Sequence, residues 1–358
     1  MIIRSVELNN FRNYENVKLD LDSEINIFYG DNAQGKTNFL EAAYLCGTTK
    51  SHRGTKDKDM IRFGSDESHV TTIVEKVDHT YRIDLHLRKN KSKGISIDRI
   101  PIKKASELFG ILNIIFFSPE DLNIIKNGPS ERRRFLDNEL CQLDKIYLDD
   151  LKKYNKVLEQ RNQLLKDIYR HPELKETLDV WDLQLVEYGK RIIARRNSFV
   201  EELNEIVSEI HGKLTKNKEE MLVKYEPSVE VENFEDKVFL NRDRDIRYAQ
   251  TSCGPHRDDI LIRSNNIDMR KYGSQGQQRT CALSLKLSEI KLVEKTIHDK
   301  PVLMLDDVLS ELDRNRQNDL LSSIDNIQTL ITCTGIDDFV NNRFPINKVF
   351  HVMDGIIE

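Results

Sequence analysis

Hydrophobic and polar residues alternate along much of the first 120 positions, which is the pattern of β-strands with one buried face. The predicted strands are residues 5–8, 25–29, 70–74, 81–87 and 111–117. The strand at 25–29 runs directly into a glycine loop, and residues 88–93 are typical of a charged hairpin tip. This part of the chain is therefore expected to be rich in strands.

The pattern changes to a helical period of three to four residues between positions 130 and 213, where glycines are few and charges are dense. A break at His171-Pro172 divides this region, which predicts two long antiparallel helices joined by a tight turn. The second helix, about 40 residues long, would reach on the order of 60 Å. We expect it to project as an arm, and a helical subdomain lying flat against the core is the alternative.

Residues 240–358 return to mixed helix and strand patterns. Residues 302–305 form a short apolar run suited to a buried central strand, and residues 329–332 are its candidate neighbour. Asp354-Gly355 lies between two apolar segments and indicates a hairpin.

The composition narrows the class of protein. The length of 358 residues corresponds to one or two domains, and 55 basic against 60 acidic residues give a net charge of −5. That charge excludes a protein that coats nucleic acid through bulk positive charge. No apolar run approaches the roughly 18 residues of a membrane span, and the N-terminus has no signal-peptide pattern, so we expect a cytoplasmic protein. The five cysteines lie far apart without a CxxC pair, which argues against a zinc site and against a secreted disulfide framework.

The strongest local motif is a phosphate-binding loop, Gly30-Asp31-Asn32-Ala33-Gln34-Gly35-Lys36-Thr37, which matches GxxxxGK[ST] in full. It follows a predicted strand and opens a predicted helix at residues 38–46, which is the context that the motif requires. Glycines allow backbone N–H groups to close around phosphates at the positive end of a helix. Lys36 is predicted to reach the β- and γ-phosphates, and the Thr37 hydroxyl to coordinate Mg²⁺.

Two adjacent acids, Asp306 and Asp307, follow the apolar run at 302–305. We predict that Asp306 holds Mg²⁺, directly or through water, and that Asp307 polarises an attacking water. Many strands end in acids, so this prediction depends on the pairing with the phosphate loop.

A second small loop precedes another predicted helix, at residues 281–292, and contains Ser274, Gly276 and Gln277. Its hydroxyl and amides are suited to binding a γ-phosphate. Because the chain already has one phosphate loop, a second is consistent with two chains that face each other, each completing the site of the other. Residues 310–313, Ser-Glu-Leu-Asp, offer polar groups for the same interface between the two chains. A plain helix N-terminus is the alternative for this second loop.

The order of these motifs resembles ABC-type ATPase heads of the SMC class. The opening segment Asn10-Phe11-Arg12-Asn13-Tyr14 is similar to the first loop of such heads, and this likeness implies that Arg12 and Asn13 approach the nucleotide. Longer stretches resemble the RecF family of bacterial recombination mediators. These stretches are residues 51–54, 118–122, 128–137, 254–259 and 305–313.

The resemblance implies an α/β fold, an ABC/SMC-type P-loop ATPase head with mixed sheets. The head would comprise residues 1–125 and 240–358, and residues 126–239 would form an inserted helical arm. Members of this family are expected to use ATP and Mg²⁺ and to close as homodimers on DNA near gaps and single-strand/duplex junctions. RecR, with RecO, is the implied protein partner, and the implied roles are recombinase loading, replication restart and the SOS response. The implied enzymatic activity is a weak, DNA-stimulated ATPase.

Three positions depart from the usual pattern of ABC heads. Residues 118–119 are Ser-Pro where a glutamine is usual, and residues 333–334 are Cys-Thr without a histidine. Asp307 is one methylene shorter than the usual glutamate. Together these departures predict slow hydrolysis that acts as a timer.

Binding DNA at a net charge of −5 requires local clusters of Lys and Arg. The candidate clusters are Arg53 with Lys56 and Lys58, Arg88 with Lys89, Lys91 and Lys93, Arg132 to Arg134, and Arg191 with Arg195 and Arg196. For Arg132 to Arg134, pairing with acids at the base of the arm is an alternative role. His52 and His256 are expected to be structural, because no nucleophile lies near either in sequence.

Two other functions are compatible with a phosphate loop alone. A small-molecule P-loop kinase or metabolic ATPase needs neither the second loop with Ser274, nor the Ser-Glu-Leu-Asp segment, nor the arm, and all three are present. A transporter ATPase would lack the long insert that separates Thr37 from Ser274. The molecular mass with and without ATP is the discriminating measurement, since a kinase should not double in mass when nucleotide binds.

Overall fold

The computed structural model describes residues 1–168, 170–324, 326–335 and 347–358. The chain divides into two compact units. The head unit consists of Met1–Asp121 and Glu289–Glu358, and the insert unit consists of Leu122–Ser288.

The described strands are β1 (Ile2–Phe11), β2 (Tyr14–Asp20), β3 (Ile25–Tyr29), β4 (Glu67–Glu75), β5 (Thr80–Arg88), β6 (Gly94–Ile97), β7 (Ile100–Pro101), β8 (Ile114–Phe117), β9 (Met221–Glu226), β10 (Asp259–Ser264), β11 (Ile267–Asp268), β12 (Val302–Asp306), β13 (Thr329–Cys333), β14 (Lys348–Met353) and β15 (Ile356–Ile357). The described helices are α1 (Lys36–Thr48), α2 (Leu122–Lys126), α3 (Pro129–Leu143), α4 (Lys145–Ile168), α5 (Leu178–Leu214), α6 (Phe234–Leu240), α7 (Arg242–Tyr248), α8 (Met269–Tyr272), α9 (Gln275–Ile297) and α10 (Arg314–Ser323).

The first sheet of the head unit is antiparallel, with strand order β2-β1-β4-β5-β6-β7. Buried residues alternate with more accessible ones along β4 and β5, as expected for a sheet with one covered face. The covered face contributes Val70, Val74, Ile83 and Leu85 to a hydrophobic core that also includes residues of α1.

The second sheet of the head unit has the order β15-β14-β3-β13-β12-β8, and its pairs are parallel except β14 with β15. Every residue of β8 and β12 is buried, which is typical of parallel strands covered on both faces. Asp306 at the end of β12 pairs with Thr332 of β13, and Cys333 pairs with Tyr29 at the end of β3. The carboxyl ends of three adjacent strands therefore meet where the phosphate loop begins.

The insert unit is built on two long helices. Helices α4 and α5 pack against each other, and α5 is 37 residues long. Buried residues recur along α5 from Leu178 to Gly212. Its C-terminal half packs on a three-stranded sheet, β11-β10-β9, where the Val223 N–H donates to Asn204 Oδ1 at 2.7 Å.

The insert unit extends further along the chain than the predicted insertion at 126–239. Strand β10 pairs along its whole length with β9, from Asp259 opposite Glu226 to Ser264 opposite Met221. This pairing joins residues 240–288 to the insert unit, because β9 lies inside the predicted insertion and β10 lies beyond it. The sequence analysis predicted neither β9 nor β10, so it gave no sign of their pairing.

The α/β fold with mixed sheets is confirmed, and so are most of the predicted elements. The predicted strand at 25–29 coincides with β3, and those at 302–305 and 329–332 are the parallel neighbours β12 and β13. The strand predicted at 111–117 is shorter, because β8 begins at Ile114. None of the described helices combines the length and the apolarity that a membrane span requires.

A buried cluster of charges joins three helices of the insert unit. The Arg161 side chain in α4 has no exposed surface and donates to Asp182 Oδ1 of α5 at 2.6 Å. It also donates to Asp245 Oδ2 of α7 at 2.8 Å and to Thr251 Oγ1 at 2.8 Å. Removing one partner of such a group leaves the other charges buried and uncompensated.

Asp245→Asn is expected to lower the free energy of unfolding by about 3 kcal/mol, because it removes one acid from around the buried Arg161. The matched control is Asp243→Asn on the same helix, which removes an exposed ion pair with Lys175 and is expected to cost much less. Urea unfolding followed by circular dichroism measures both. Equal losses for the two variants would contradict the importance of the buried cluster.

Candidate functional site

The phosphate loop connects β3 to α1 in the head unit. Gly30 and Gly35 have φ values of 152° and 119°, a region that favours glycine. A Cβ atom at Gly30 would lie 2.2 Å from the Val352 carbonyl oxygen, and one at Gly35 would lie 2.5 Å from Asn13 Nδ2. Both positions therefore require glycine for conformation and for space. Between the two glycines, Asp31, Asn32 and Ala33 are exposed and Gln34 is partly buried.

Lys36 places a positive charge inside this loop. Its side chain is buried, and Nζ donates to the carbonyl oxygens of Gly30 at 2.6 Å and Asp31 at 2.9 Å. Among the described residues no carboxylate forms an ion pair with it. A buried ammonium that is bound only by neutral carbonyls, beside the N-terminus of α1, suits a phosphate group.

Asp306 joins the phosphate loop to two strands of the parallel sheet. Its Oδ1 atom accepts hydrogen bonds from Thr37 Oγ1 at 2.8 Å and from Thr332 Oγ1 at 2.8 Å. Burial raises the pKa of Asp306 above its usual value, although the two hydroxyl donors act in the opposite direction. A buried carboxylate beside the Thr37 hydroxyl suits Mg²⁺, which prefers oxygen ligands. Thr332 was not predicted as a site residue. The available signal was that it ends the strand at 329–332, the predicted neighbour of the strand that leads to Asp306.

Asp307 adopts an uncommon backbone conformation, with φ of 52°. Its N–H donates to Thr332 Oγ1 at 2.9 Å, and its carbonyl oxygen accepts from Ser310 Oγ at 2.7 Å. Two hydrogen bonds thus hold a left-handed conformation that most non-glycine residues avoid, a feature that is common at functional sites. Of the predicted Ser-Glu-Leu-Asp segment, Asp313 is exposed, and the side chain of Glu311 lies outside the described residues.

Two other segments hold the phosphate loop from outside. Asn13 Nδ2 donates to the Gln34 carbonyl oxygen at 2.8 Å, and Tyr14 Oη donates to the Gly35 carbonyl oxygen at 2.9 Å. The Gly355 N–H, in the predicted hairpin between β14 and β15, also donates to the Gln34 carbonyl oxygen, at 3.2 Å. The sequence placed Asn13 near the nucleotide but gave no role to Tyr14, whose only signal is its position next to Asn13.

Arg12 forms an ion pair within the head unit. Its guanidinium donates to both carboxylate oxygens of Glu41 in α1, at 2.8 and 2.9 Å, and to Thr55 Oγ1 at 3.1 Å. Burial alone would raise the pKa of Glu41, but hydrogen bonds from Arg12 and Ser51 outweigh it and hold that pKa below its usual value. The described contacts of Arg12 do not include the phosphate loop, so its contact with nucleotide stays a prediction.

A chain of hydrogen bonds connects the phosphate loop to an exposed arginine. Asn13 binds the Gln34 carbonyl oxygen through Nδ2 and accepts a hydrogen bond from Asn38 Nδ2 at 2.9 Å through Oδ1. Asn38 Oδ1 in turn accepts from Arg53 Nη1 at 3.2 Å. Arg53 belongs to the first predicted basic cluster, and its companions Lys56 and Lys58 are exposed.

The second predicted loop lies in the insert unit at the N-terminus of α9. Ser274 and Gln277 form a reciprocal cap, in which the Ser274 N–H donates to Gln277 Oε1 at 3.1 Å and the Gln277 N–H donates to Ser274 Oγ at 3.3 Å. Ser274 and Gly276 are exposed, and a Cβ atom at Gly276 would meet nothing within 4 Å. The loop is therefore a rigid helix start that faces open space.

Two predicted basic clusters are partly structural. Arg132 is buried and binds both carboxylate oxygens of Asp259, at 2.6 and 3.0 Å. Arg196 is also buried and donates to Asp137 Oδ1 at 2.7 Å. These two arginines stabilise the insert unit, as the alternative role for Arg132 predicted, and they are not available to DNA. The partner acids lie far away in sequence, so the pairing was not visible for Arg196.

Exposed and half-buried basic side chains elsewhere also have acidic neighbours. Lys89 pairs with Asp66, Lys93 with Asp57, Arg191 with Glu187 and Arg195 with Asp144. Ion pairs at the surface are weak, so such side chains can exchange an acidic partner for a phosphate.

The two histidines that the sequence assigned to structural roles are held by neighbours. His256 Nδ1 lies 2.7 Å from Tyr154 Oη, and burial lowers the pKa of His256 to about 4. The His52 ring stacks on Phe116 with a centroid distance of 4.0 Å. Both contacts agree with the structural prediction.

Close relatives of the chain share one name. The chain is 65% identical over 358 residues to the DNA replication and repair protein RecF of Agathobacter rectalis, covering 100% of this chain and 99% of that protein. It is 62% identical over 357 residues to the protein of the same name in Lachnospira eligens, covering 99% and 98% of the two chains.

Solved structures agree with this likeness. The recombination mediator protein RecF with ATPrS, in the RecFOR pathway, superposes with a TM-score of 0.93 at 36% identity, covering 99% of this chain and 97% of that chain. The Smc head domain of Pyrococcus furiosus, bound to the C-terminal domain of ScpA, has a TM-score of 0.57 at 16% identity, covering 100% and 95%, and supports the fold alone. The family model described as the RecF/RecN/SMC N terminal domain matches residues 2–358. With this match and these relatives, the chain belongs to the RecF family of SMC-type ATPase heads.

Proposed function

We propose that this chain is an ATP-dependent DNA-binding mediator of recombination and repair. ATP binds to the phosphate loop of the head unit and closes a homodimer on DNA near gaps or single-strand/duplex junctions. Slow hydrolysis, stimulated by DNA, releases it. RecR, with RecO, is the expected protein partner in recombinase loading, replication restart and the SOS response, since the related RecF structures are described within the RecFOR pathway.

The nucleotide roles follow from the chemistry of the loop. Lys36 neutralises charge on the β- and γ-phosphates, and the backbone N–H groups of the loop bind phosphate oxygens. Thr37 and Asp306, whose side chains share a hydrogen bond at 2.8 Å, are the residues that would hold Mg²⁺. When bound, Mg²⁺ offsets the negative charge of the phosphates and of the buried Asp306 carboxylate.

Asp307 is the candidate for positioning the attacking water. Hydrogen bonds fix its backbone on both sides, through Thr332 Oγ1 and Ser310 Oγ, so its carboxylate is presented from a rigid turn. A carboxylate one methylene shorter than glutamate has a shorter reach, which is consistent with slow turnover. The ATP would then persist long enough to act as a timer.

The single observation that carries the DNA proposal is the hydrogen-bond chain from the Gln34 carbonyl oxygen through Asn13 and Asn38 to Arg53. Nucleotide that orders the phosphate loop also orders this chain, and with it a guanidinium beside exposed Lys56 and Lys58. DNA affinity would therefore depend on ATP. Contacts between lysine or arginine and phosphate groups also make the affinity fall with salt.

The proposed dimer uses the exposed loop of the insert unit. Ser274, capped against Gln277, presents an exposed hydroxyl at the positive N-terminal end of a 23-residue helix to an anion from outside the chain. The bound γ-phosphate of a second copy is the anion that the family likeness implies.

Binding to a fluorescent gapped duplex tests the DNA proposal. Wild type is expected to bind at least about tenfold more tightly with ATP than without it, a difference of about 1.4 kcal/mol. Lys36→Ala is expected to lose this gain, because the loop no longer holds phosphate, while the exposed-lysine control Lys18→Ala keeps it. Fluorescence anisotropy measures each Kd, and a Lys36→Ala variant that keeps the full gain would contradict the proposal.

Ser274→Arg tests the dimer. The added bulk and charge at the rim of the proposed interface are expected to keep the chain monomeric with ATP, while ATP binding to the monomer is unchanged. Asn197→Arg, on the exposed side of α5 in the same unit, is the matched control and should dimerise like wild type. Sedimentation velocity with and without ATP measures the mass. Dimerisation of Ser274→Arg with wild-type affinity would rule out a role for this loop at the interface.

A further inference from the structure

Two histidines and one glutamate meet on the accessible face of the antiparallel sheet in the head unit. Glu67 and His69 lie two residues apart on β4, so their side chains point to the same face. His86 of β5 is the register partner of His69. The buried neighbours Ser68 and Leu87 point to the opposite, covered face.

The donor atoms of these three side chains converge. His86 Nε2 lies 2.8 Å from Glu67 Oε2, and His69 Nε2 lies 4.0 Å from Glu67 Oε1. The two imidazole rings stack with a centroid distance of 4.0 Å and an interplanar angle of 22°. One donor atom from each residue lies within 4.8 Å of the other two.

These separations are close to those of a metal centre. A tetrahedral ion with metal–nitrogen bonds of about 2.0–2.1 Å holds its ligand atoms about 3.4 Å apart. The distances of 2.8 and 4.0 Å lie on either side of that value, and the three donors reach it when the imidazole rings turn out of their stack so that both nitrogens face one ion. The register of β4 and β5 holds His69 and His86 opposite each other.

We propose that Glu67, His69 and His86 bind a divalent transition-metal ion, with Zn²⁺ as the best fit. Two imidazoles and one carboxylate form a donor set that favours Zn²⁺ over Mg²⁺ or Ca²⁺, which prefer oxygen ligands alone. Three protein ligands leave a fourth position for water. The site contains no cysteine, so the wide spacing of the five cysteines does not bear on it.

The surroundings leave room for the ion and its water. Gly94 of β6 is the register partner of His86 on its other side and adds no side chain there, while Arg88 is the register partner of Glu67 on β5. The nearest further acid along β5, Asp84, is held by Arg82 and Thr71 and does not compete for the ion. An ion bound here would link β4 to β5 and stabilise the sheet.

Zinc titration of the full-length chain, without nucleotide, tests the proposal by calorimetry with zinc sulfate as the probe. Wild type is expected to bind one Zn²⁺ at this site, and the double variant His69→Gln/His86→Gln to bind it at least about tenfold more weakly. The matched control is His79→Gln, which removes a histidine that lies just before β5 and pairs with Asp98 at 3.3 Å. It should bind Zn²⁺ like wild type.

Two further measurements keep the test decisive. Zn²⁺ should raise the melting temperature of wild type and of His79→Gln but not of the double variant, and Glu67→Gln provides an independent weakened site if the double variant folds poorly. Co²⁺ should give a spectrum without thiolate charge-transfer bands, which separates this site from cysteine binding. Equal Zn²⁺ affinity in wild type and the double variant, or no binding by wild type, would overturn the proposal.

Discussion

The hydrogen bonds from Thr37 and Thr332 to the buried Asp306 carboxylate are the interaction on which the nucleotide site depends. They tie the start of α1 to the ends of β12 and β13. In the parallel sheet, β13 lies between β3 and β12. The phosphate loop after β3 and Asp306 at the end of β12 therefore lie at the carboxyl ends of nearby strands. The burial that raises the pKa of Asp306 also makes an added cation favourable, because the ion compensates a charge that water does not reach.

The proposed function joins two devices that lie in different units. The head unit has a buried lysine and a buried acid for the nucleotide, and the insert unit has an exposed, rigidly capped helix start. In the proposed dimer, the exposed helix start of one copy contacts the nucleotide that the other copy binds, which accounts for both features. The basic side chains divide in a similar way: Arg132 and Arg196 are committed to Asp259 and Asp137, and the segment with Arg53 stays accessible. The proposed DNA contact is therefore the accessible segment with Arg53, which is connected to the phosphate loop through hydrogen bonds of Asn38 and Asn13.

The sequence predicted the parts of the structure that local patterns encode. Gly30, Lys36 and Thr37 were found because their spacing is fixed by one loop, and β12 was found because four apolar residues precede an acid. Contacts set by strand order or register were not visible. The neighbouring strands β12 and β13 were predicted, but not the register that brings Thr332 beside Asp306. The length of the insert unit depends on the pairing of β9 with β10, which was not predicted. His69 meets His86 only through the register of a hairpin.

We propose that the buried Asp306 carboxylate makes nucleotide binding depend on Mg²⁺. Calorimetric titration of ATP into wild type and into Asp306→Asn, each with Mg²⁺ and with EDTA, measures this dependence directly. Wild type should bind ATP at least about tenfold more tightly with Mg²⁺, and Asp306→Asn should lose most of that gain, because an amide oxygen is a neutral and weaker ligand. The same gain in both proteins would contradict the role of Asp306.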